Sequence, residues 1–193
     1  NPYGDSVKLV LASGGSDYFD AITLAGRIVD LPGFFPEGGA ANVARRDGMA
    51  VTVLDAACAA GRIPDHYFQA VGSGTGGIAA WESAVRLEQD GSFGKNRMKL
   101  HLAQNHPFVP MTDAWNRGSR ELGMLPEREA KEQIHHIRAK VLSNRKPPYG
   151  VSGGVFDCLD ASGGAMYAVT NREIADAMAL FERLEGVDIH PAG

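Results

Sequence analysis

A glycine-rich segment from Gly72 to Gly77, with the sequence GSGTGG, has residue types that could bind an anion. An aromatic and apolar stretch precedes it and a helix-like pattern follows from about Ile78 to Leu87, which predicts a strand, a glycine turn and a helix. In that arrangement several backbone N–H groups and the positive end of the helix dipole point at one spot. The hydroxyl groups of Ser73 and Thr75 could each donate one further hydrogen bond, and a larger side chain in place of a glycine would block the approach of phosphate oxygens. We expect a phosphate here, although a tight turn that packs the strand on the helix without a ligand remains an alternative.

The neighbouring residues narrow the kind of phosphate. A nucleoside-triphosphate loop requires Lys followed by Ser or Thr after its last glycine, whereas Ile78 and Ala79 stand here. A dinucleotide site requires an acidic residue near the end of the next strand, whereas that strand ends in Gln104 and Asn105. A single terminal phosphate remains, such as that of pyridoxal phosphate or of a phosphorylated metabolite.

The composition limits the possible partners and compartments. The chain has 193 residues, 44% of them hydrophobic, and a net charge of −4, so it can bury a core but offers no broad basic surface for nucleic acid or an anionic membrane. No stretch approaches the roughly 20 apolar residues of a membrane span, and no signal peptide is visible. Cys58 and Cys158 lack metal-binding spacing and are expected to be buried, reduced thiols, which favours the cytoplasm. The start at Asn1 and the ending "VDIHPAG" suggest a fragment of a longer protein.

The hydrophobic patterns predict alternating strands and helices. Strands are expected at 7–12, directly before the glycine turn, and at 97–104, 164–169 and 187–190. Helices are expected at 16–29, 48–61, 78–87, 113–144 and 171–186, with a long loop at 30–46 and a capping box formed by Thr170 and Glu173. This alternation predicts an α/β fold in which a parallel sheet carries helices on both faces, with residues 1–193 forming one unit.

The segment "AVGSGTGGIAAWESAVRL" resembles the phosphate-binding loop and following helix of fold-type II pyridoxal-phosphate enzymes, the tryptophan-synthase-β-like group that includes threonine synthase. Four further segments resemble the same group in the same order: "SGGSDYFDAITLAGRI", "FFPEGGAANVARRDGMAVTVLDA", "KLHLAQNHPFVPMTDAWNRG" and "YAVTNREIADAMALFERLEGVDIHPAG". Within the group, "PDHYFQAVGSGTGGIAAWE" is most similar to the cysteate synthase family.

This resemblance implies a cofactor, pyridoxal 5'-phosphate, and assigns residues to it. The residues implied to bind the cofactor are Gly72, Ser73, Gly74, Thr75, Gly76, Gly77, Glu37 and Gly38. Arg45 and Arg46, within the expected loop, could bind sulfite or the substrate phosphate through bidentate hydrogen bonds, or could be two solvated arginines at a helix start.

The implied reaction is β-replacement, in which O-phosphoserine and sulfite give L-cysteate and phosphate on the route to coenzyme M. Two alternatives remain open. The first is a threonine synthase acting on O-phosphohomoserine, and the second is a non-catalytic fragment that binds an anion or a partner.

The Schiff-base lysine of the group has no counterpart in this chain. The lysines present stand in a different sequence context: Lys8, Lys95, Lys99, Lys131, Lys140 and Lys146. No catalytic residue is therefore assigned here, and the fragment is expected to be inactive on its own. The full-length protein is expected to be a two-domain enzyme and a homo-oligomer. No metal site is expected, because the adjacent residues His135 and His136 would point about 100° apart on a helix.

Overall fold

The computed structural model describes residues 7–193, which divide into two compact units. The N-terminal unit ends at Pro36 and contains helix α1, Tyr18–Val29. Its first turn is closed by a capping box, in which the Asp17 carboxylate accepts from the Asp20 N–H and the Asp20 carboxylate accepts from the Asp17 N–H, both at 3.0 Å. The strand predicted at 7–12 is wrong: these residues are exposed and join no sheet in the described part of the chain.

The second unit, residues 37–193, contains a three-stranded parallel sheet in the order β1-β2-β3. Its strands are β1, His66–Ala70, β2, Lys99–Asn105, and β3, Ala165–Val169. These strands confirm the predicted parallel α/β class. The strand predicted at 187–190 is wrong, because that segment is irregular and pairs with no described strand.

Seven α-helices belong to the described part of this second unit. They are α2, Val43–Met49; α3, Val51–Ala60; α4, Thr75–Asp90; α5, Pro110–Asn116; α6, Glu127–His136; α7, Val155–Ser162; and α8, Asn171–Glu185. Short 3₁₀ helices cover Gly39–Ala41 and Lys140–Leu142. The capping box of Thr170 and Glu173 is confirmed at the start of α8. Helix α7 was not predicted.

The long helix predicted at 113–144 is divided. Helix α5 ends at Asn116, and α6 begins after Pro126, a residue that cannot donate a backbone hydrogen bond within a helix. Ile134, Ile137 and Val141 have the i, i+3, i+7 spacing of one face of a continuous helix. Ile134 and Ile137 are buried, but 59% of Val141 is exposed. Helix α6 ends at His136, so Val141 lies on the following 3₁₀ helix and no longer shares the buried face.

The two faces of the sheet differ because side chains alternate along each strand. Leu100, Leu102 and Met166 are buried in the main core, against which α4, α5 and α7 also pack. On the opposite face Phe68 stacks on His101 with 4.5 Å between the ring centroids, and 72% of Phe68 is exposed. The core therefore fixes the position of α4, the helix that follows the glycine segment.

The cysteines differ from the sequence expectation in one respect. Both are free thiols, and Cys158 is buried, but Cys58 is exposed on α3. Burial raises the pKa of Cys158 to about 12, and the carboxylates of Glu82 and Asp157 add to this effect. The Cys158 thiol therefore stays protonated near neutral pH and has a structural role in the core.

Candidate functional site

The glycine segment forms the turn between the end of β1 and the start of α4. Gly74 has the left-handed φ of +78° that favours glycine, and Thr75 is the first residue of the helix. The helix therefore begins three residues before the predicted start at Ile78, and Gly76 and Gly77 belong to its first turn. The N–H of Ile78 donates to the carbonyl of Gly74 at 3.1 Å.

Several N–H groups of this buried turn lack a partner. Among residues 7–193, the N–H groups of Ser73, Gly74, Gly76 and Gly77 donate no hydrogen bond to another residue. Ser73 is partly exposed, and the three glycines are buried. Buried backbone donors are nearly always paired, because an unpaired one costs about 1–3 kcal/mol. These donors lie at the positive end of the α4 dipole, which favours an anion as their acceptor.

Two hydroxyl groups border the same donors. The oxygens Ser73 Oγ and Thr75 Oγ1 are 3.0 Å apart, and Ser73 Oγ also accepts from the Thr75 N–H at 3.4 Å. Each hydroxyl can rotate its hydrogen toward a nearby oxygen. The residue types and the unpaired N–H groups together fit a single phosphate.

Protein atoms pack directly against the first two glycines of the turn. A Cβ on Gly72 would lie 3.0 Å from the Cα of Leu142, and a Cβ on Gly74 would clash with Cγ2 of Val155. The sequence suggested that a glycine at position 74 leaves room for a phosphate oxygen. The structure gives two other reasons for this glycine: packing against Val155 and a left-handed backbone.

The two glycines within the first turn of α4 allow this helix to lie close to the sheet. A Cβ on Gly76 would lie 2.5 Å from the side-chain amide of Gln69, and a Cβ on Gly77 would lie 3.0 Å from Leu102. Close packing thus explains why glycines occupy these positions, as the alternative of a tight turn without a ligand predicts. It does not account for the unpaired N–H groups, and these support the phosphate interpretation.

Arg45 and Arg46 lie on α2 and not in a loop, because α2 begins at Val43. Arg45 forms an ion pair with Glu37 at 2.8 Å, with 41% of the Arg45 side chain exposed. Arg46 pairs with Glu82 of α4 at 2.8 Å and also donates to the carbonyl of Ala40. Both guanidinium groups are therefore engaged within the protein, and binding of a substrate anion by either one stays a prediction.

Glu37 and Gly38 form the turn that precedes α2. Gly38 has a φ of +92°, and the Glu37 carboxylate accepts from the Gly39 N–H at 3.0 Å. This hydrogen bond and the adjacent Arg45 lower the pKa of Glu37, so its carboxylate is ionised at neutral pH. In the described part of the chain, neither Glu37 nor Gly38 forms a hydrogen bond with the glycine turn.

Gln104 and Asn105, which stand where a dinucleotide site would carry a carboxylate, have structural roles that their residue types alone did not predict. Gln104 is buried, and its side-chain oxygen accepts from the N–H groups of Met111 and Thr112 at 2.9 and 3.0 Å, which caps α5. The side-chain amide of Asn105 forms hydrogen bonds with three segments: the next residue in its own chain segment, residues 138–139 and residues 169–171. The sequence signal for both roles is a pair of amide side chains at the carboxyl end of a buried strand.

A cavity of about 860 Å³ lies beside the carboxyl ends of the strands and borders α8 and residues 189–193. Its lining includes Asn105 and Leu142, but no residue of the glycine turn and no lysine.

Within residues 7–193 no cluster of three or more His, Cys, Asp or Glu side chains has metal-binding geometry. Every helix within residues 7–193 is too short or too polar to span a lipid bilayer.

The sequence model of a family described as pyridoxal-phosphate dependent enzymes matches residues 1–193 of this chain. The chain belongs to this family. Pyridoxal phosphate, which the family's description names, carries a single phosphate ester, and a group of this kind would suit the unpaired N–H groups of the glycine turn.

Curated relatives in the family include several cysteate synthases. The cysteate synthase of Methanosarcina acetivorans is 57% identical over 190 residues, which is 97% of this chain and 45% of that protein. The cysteate synthase of Methanocella arvoryzae is 58% identical over 191 residues, with the same shares of 97% and 45%. The chain thus spans about half the length of the curated relatives it matches.

A solved structure supports the fold. A threonine deaminase from T.th. superposes with a TM-score of 0.54 at 12% sequence identity, covering 76% of this chain and 47% of that one. At this identity the similarity concerns the fold, which is the α/β architecture of fold-type II pyridoxal-phosphate enzymes.

Proposed function

We propose that this chain supplies the cofactor-phosphate site of a longer enzyme that converts O-phosphoserine and sulfite into L-cysteate and phosphate. The unpaired N–H groups at the start of α4 are the main support for the proposed cofactor site. The identity of 57–58% to cysteate synthases over nearly the whole chain supports the choice of reaction.

The cofactor phosphate would be held by the N–H groups of Ser73, Gly74, Gly76 and Gly77, with the hydroxyls of Ser73 and Thr75 donating in addition. When bound, pyridoxal phosphate supplies an electron sink for the bond changes on the amino acid. The chain's own contribution is to fix one end of the cofactor, because its donors lie on a helix packed into the core. Burial of the turn also excludes water from these hydrogen bonds.

Net β-replacement breaks the C–O bond to the phosphate of O-phosphoserine and forms a C–S bond to sulfite. Both groups are anions, and the glycine turn would already hold the cofactor phosphate. Arg45 is the better candidate of the two arginines for a second anion, since 41% of its side chain is exposed, compared with 18% for Arg46. To bind this second anion, the Arg45 guanidinium would have to release its ion pair with Glu37.

The remaining parts of the enzyme belong to this same proposal. The Schiff-base lysine would lie outside these 193 residues, in a two-domain protein that acts in the cytoplasm as a homo-oligomer. The chain in isolation would bind a phosphate and show no turnover.

The longer protein loaded with pyridoxal phosphate provides the test. We expect phosphate release from O-phosphoserine, and L-cysteate as the product when sulfite is present, with both followed in the same reaction by mass spectrometry. O-phosphohomoserine, which has one more methylene than O-phosphoserine, is the comparison substrate. Threonine from O-phosphohomoserine, without cysteate from O-phosphoserine, would reassign the enzyme to threonine synthase; cofactor binding without either product would favour a non-catalytic role.

A further inference from the structure

Asn105 ties together three segments at the carboxyl end of the sheet. It is 6% exposed, and its side-chain oxygen accepts from the N–H groups of Arg138 and Ala139 at 2.8 and 3.0 Å. Its side-chain nitrogen donates to the carbonyls of His106 and Val169, each at 3.1 Å. All polar positions of this buried amide are therefore used, so its orientation is fixed.

Asn171, the first residue of α8, adds a second amide to the same network. Its side-chain oxygen accepts from the Asn105 amide at 3.1 Å and from the Arg138 N–H at 2.9 Å. Its side-chain nitrogen donates to the carbonyl of His136, the last residue of α6, at 2.7 Å. The two amides thus bind the chain on both sides of the point where α6 ends.

The segment held in this way leads directly to the glycine turn. Ala139 is buried, and its carbonyl accepts from the Leu142 N–H at 3.0 Å within the 3₁₀ helix. The backbone of Leu142 then lies against Gly72, with Cα, C and O between 3.0 and 3.2 Å from the position of a Cβ. Leu142 therefore forms a wall of the turn that precedes α4, and the position of this wall depends on the two amides.

We propose that Asn105 and Asn171 are positioning residues for the phosphate site. They hold residues 138–142 against Gly72 and so keep the N–H groups of the turn converged, without touching the phosphate themselves. This inference rests on the proposed phosphate site, but it does not depend on which amino acid or nucleophile the enzyme uses.

The test compares three asparagine variants of the longer protein. Asn105→Ala and Asn171→Ala remove the two amides, and Asn96→Ala is the matched control. The Asn96 side chain also donates to two carbonyls, those of Ile63 and Pro64 at 3.3 Å, but it does so at the amino end of the strands. The affinity for pyridoxal phosphate is measured by equilibrium dialysis, and amide hydrogen exchange is measured across residues 136–142.

We expect the dissociation constant for pyridoxal phosphate to rise about tenfold in Asn105→Ala and about threefold in Asn171→Ala, with faster exchange at Arg138 and Ala139. Asn96→Ala should lower the melting temperature but change the affinity by less than twofold. Asn171 is exposed, so its variant provides the test if Asn105→Ala does not fold.

Faster exchange at residues 138–142 with an unchanged affinity would overturn the inference, as would an equal loss of affinity in Asn96→Ala. Normal cofactor affinity without cysteate formation would contradict the proposed reaction and leave this inference standing. A protein that binds no pyridoxal phosphate would contradict both.

Discussion

Replacing Gly74 with valine should weaken the binding of pyridoxal phosphate to the longer protein at least 100-fold. The backbone φ of +78° is strained for a β-branched residue, and the new side chain would clash with Cγ2 of Val155. Relief of either problem moves the start of α4, and with it the N–H groups that we assign to the phosphate. Equilibrium dialysis with the cofactor measures the loss.

A second glycine on the same helix provides the control for backbone strain. Gly91, the C-cap residue that follows α4, has a φ of +80°, but nothing lies within 4 Å of a Cβ placed there. Gly91→Val should therefore lower stability and leave the affinity for the cofactor within about twofold of the original. The double variant Gly74→Ala with Val155→Ala should bind the cofactor more tightly than Gly74→Val. It removes the clash with Cγ2 of Val155 but keeps the backbone strain at position 74. Unchanged affinity in Gly74→Val would show that the turn does not bind the cofactor.

Replacing Leu102 with alanine should lower the free energy of unfolding by about 3 kcal/mol, as is typical for a buried leucine in a well-packed core. Leu102 is 1% exposed, and it lies beneath Gly77 at the first turn of α4. The cavity would therefore open directly below the proposed phosphate site, and we expect the affinity for pyridoxal phosphate to fall as well. Urea denaturation monitored by circular dichroism measures the first effect.

Leu184→Ala is the matched control, since it removes the same atoms from a side chain that is 68% exposed on α8. It should change the free energy of unfolding by less than about 0.5 kcal/mol. Similar losses in the two variants would contradict the assignment of Leu102 to the core beneath the turn.

The sequence predicted the central strands and the glycine turn because each had a strong local signal. Residues 97–104 alternate polar and apolar side chains from Arg97 to Leu102, and Thr170 with Glu173 forms a capping box, so β2 and the start of α8 lie close to their predicted positions. The glycine spacing likewise predicted a turn between a strand and a helix, and the turn lies there. The cofactor family was predictable because the resemblance extended through most of the chain in order.

Other features depend on contacts that no local pattern reveals. Residues 7–12 are as apolar as a strand but have no partner strand in the described part of the chain. Arg46 pairs with Glu82, which lies 36 residues away, so this ion pair could not be predicted from the residues next to Arg46. The amide of Asn105 likewise contacts residues 33 and 64 positions away, so its role could not be read from its neighbours.

The central claim is that the turn from Gly72 to Gly77 holds the phosphate of pyridoxal phosphate, and a crystal structure of the longer protein with this cofactor tests it most directly. We predict phosphate oxygens within about 3.2 Å of the N–H groups of Ser73, Gly74, Gly76 and Gly77, as is usual for backbone hydrogen bonds. A cofactor phosphate bound by other residues, with these N–H groups facing water or protein atoms, would contradict the claim.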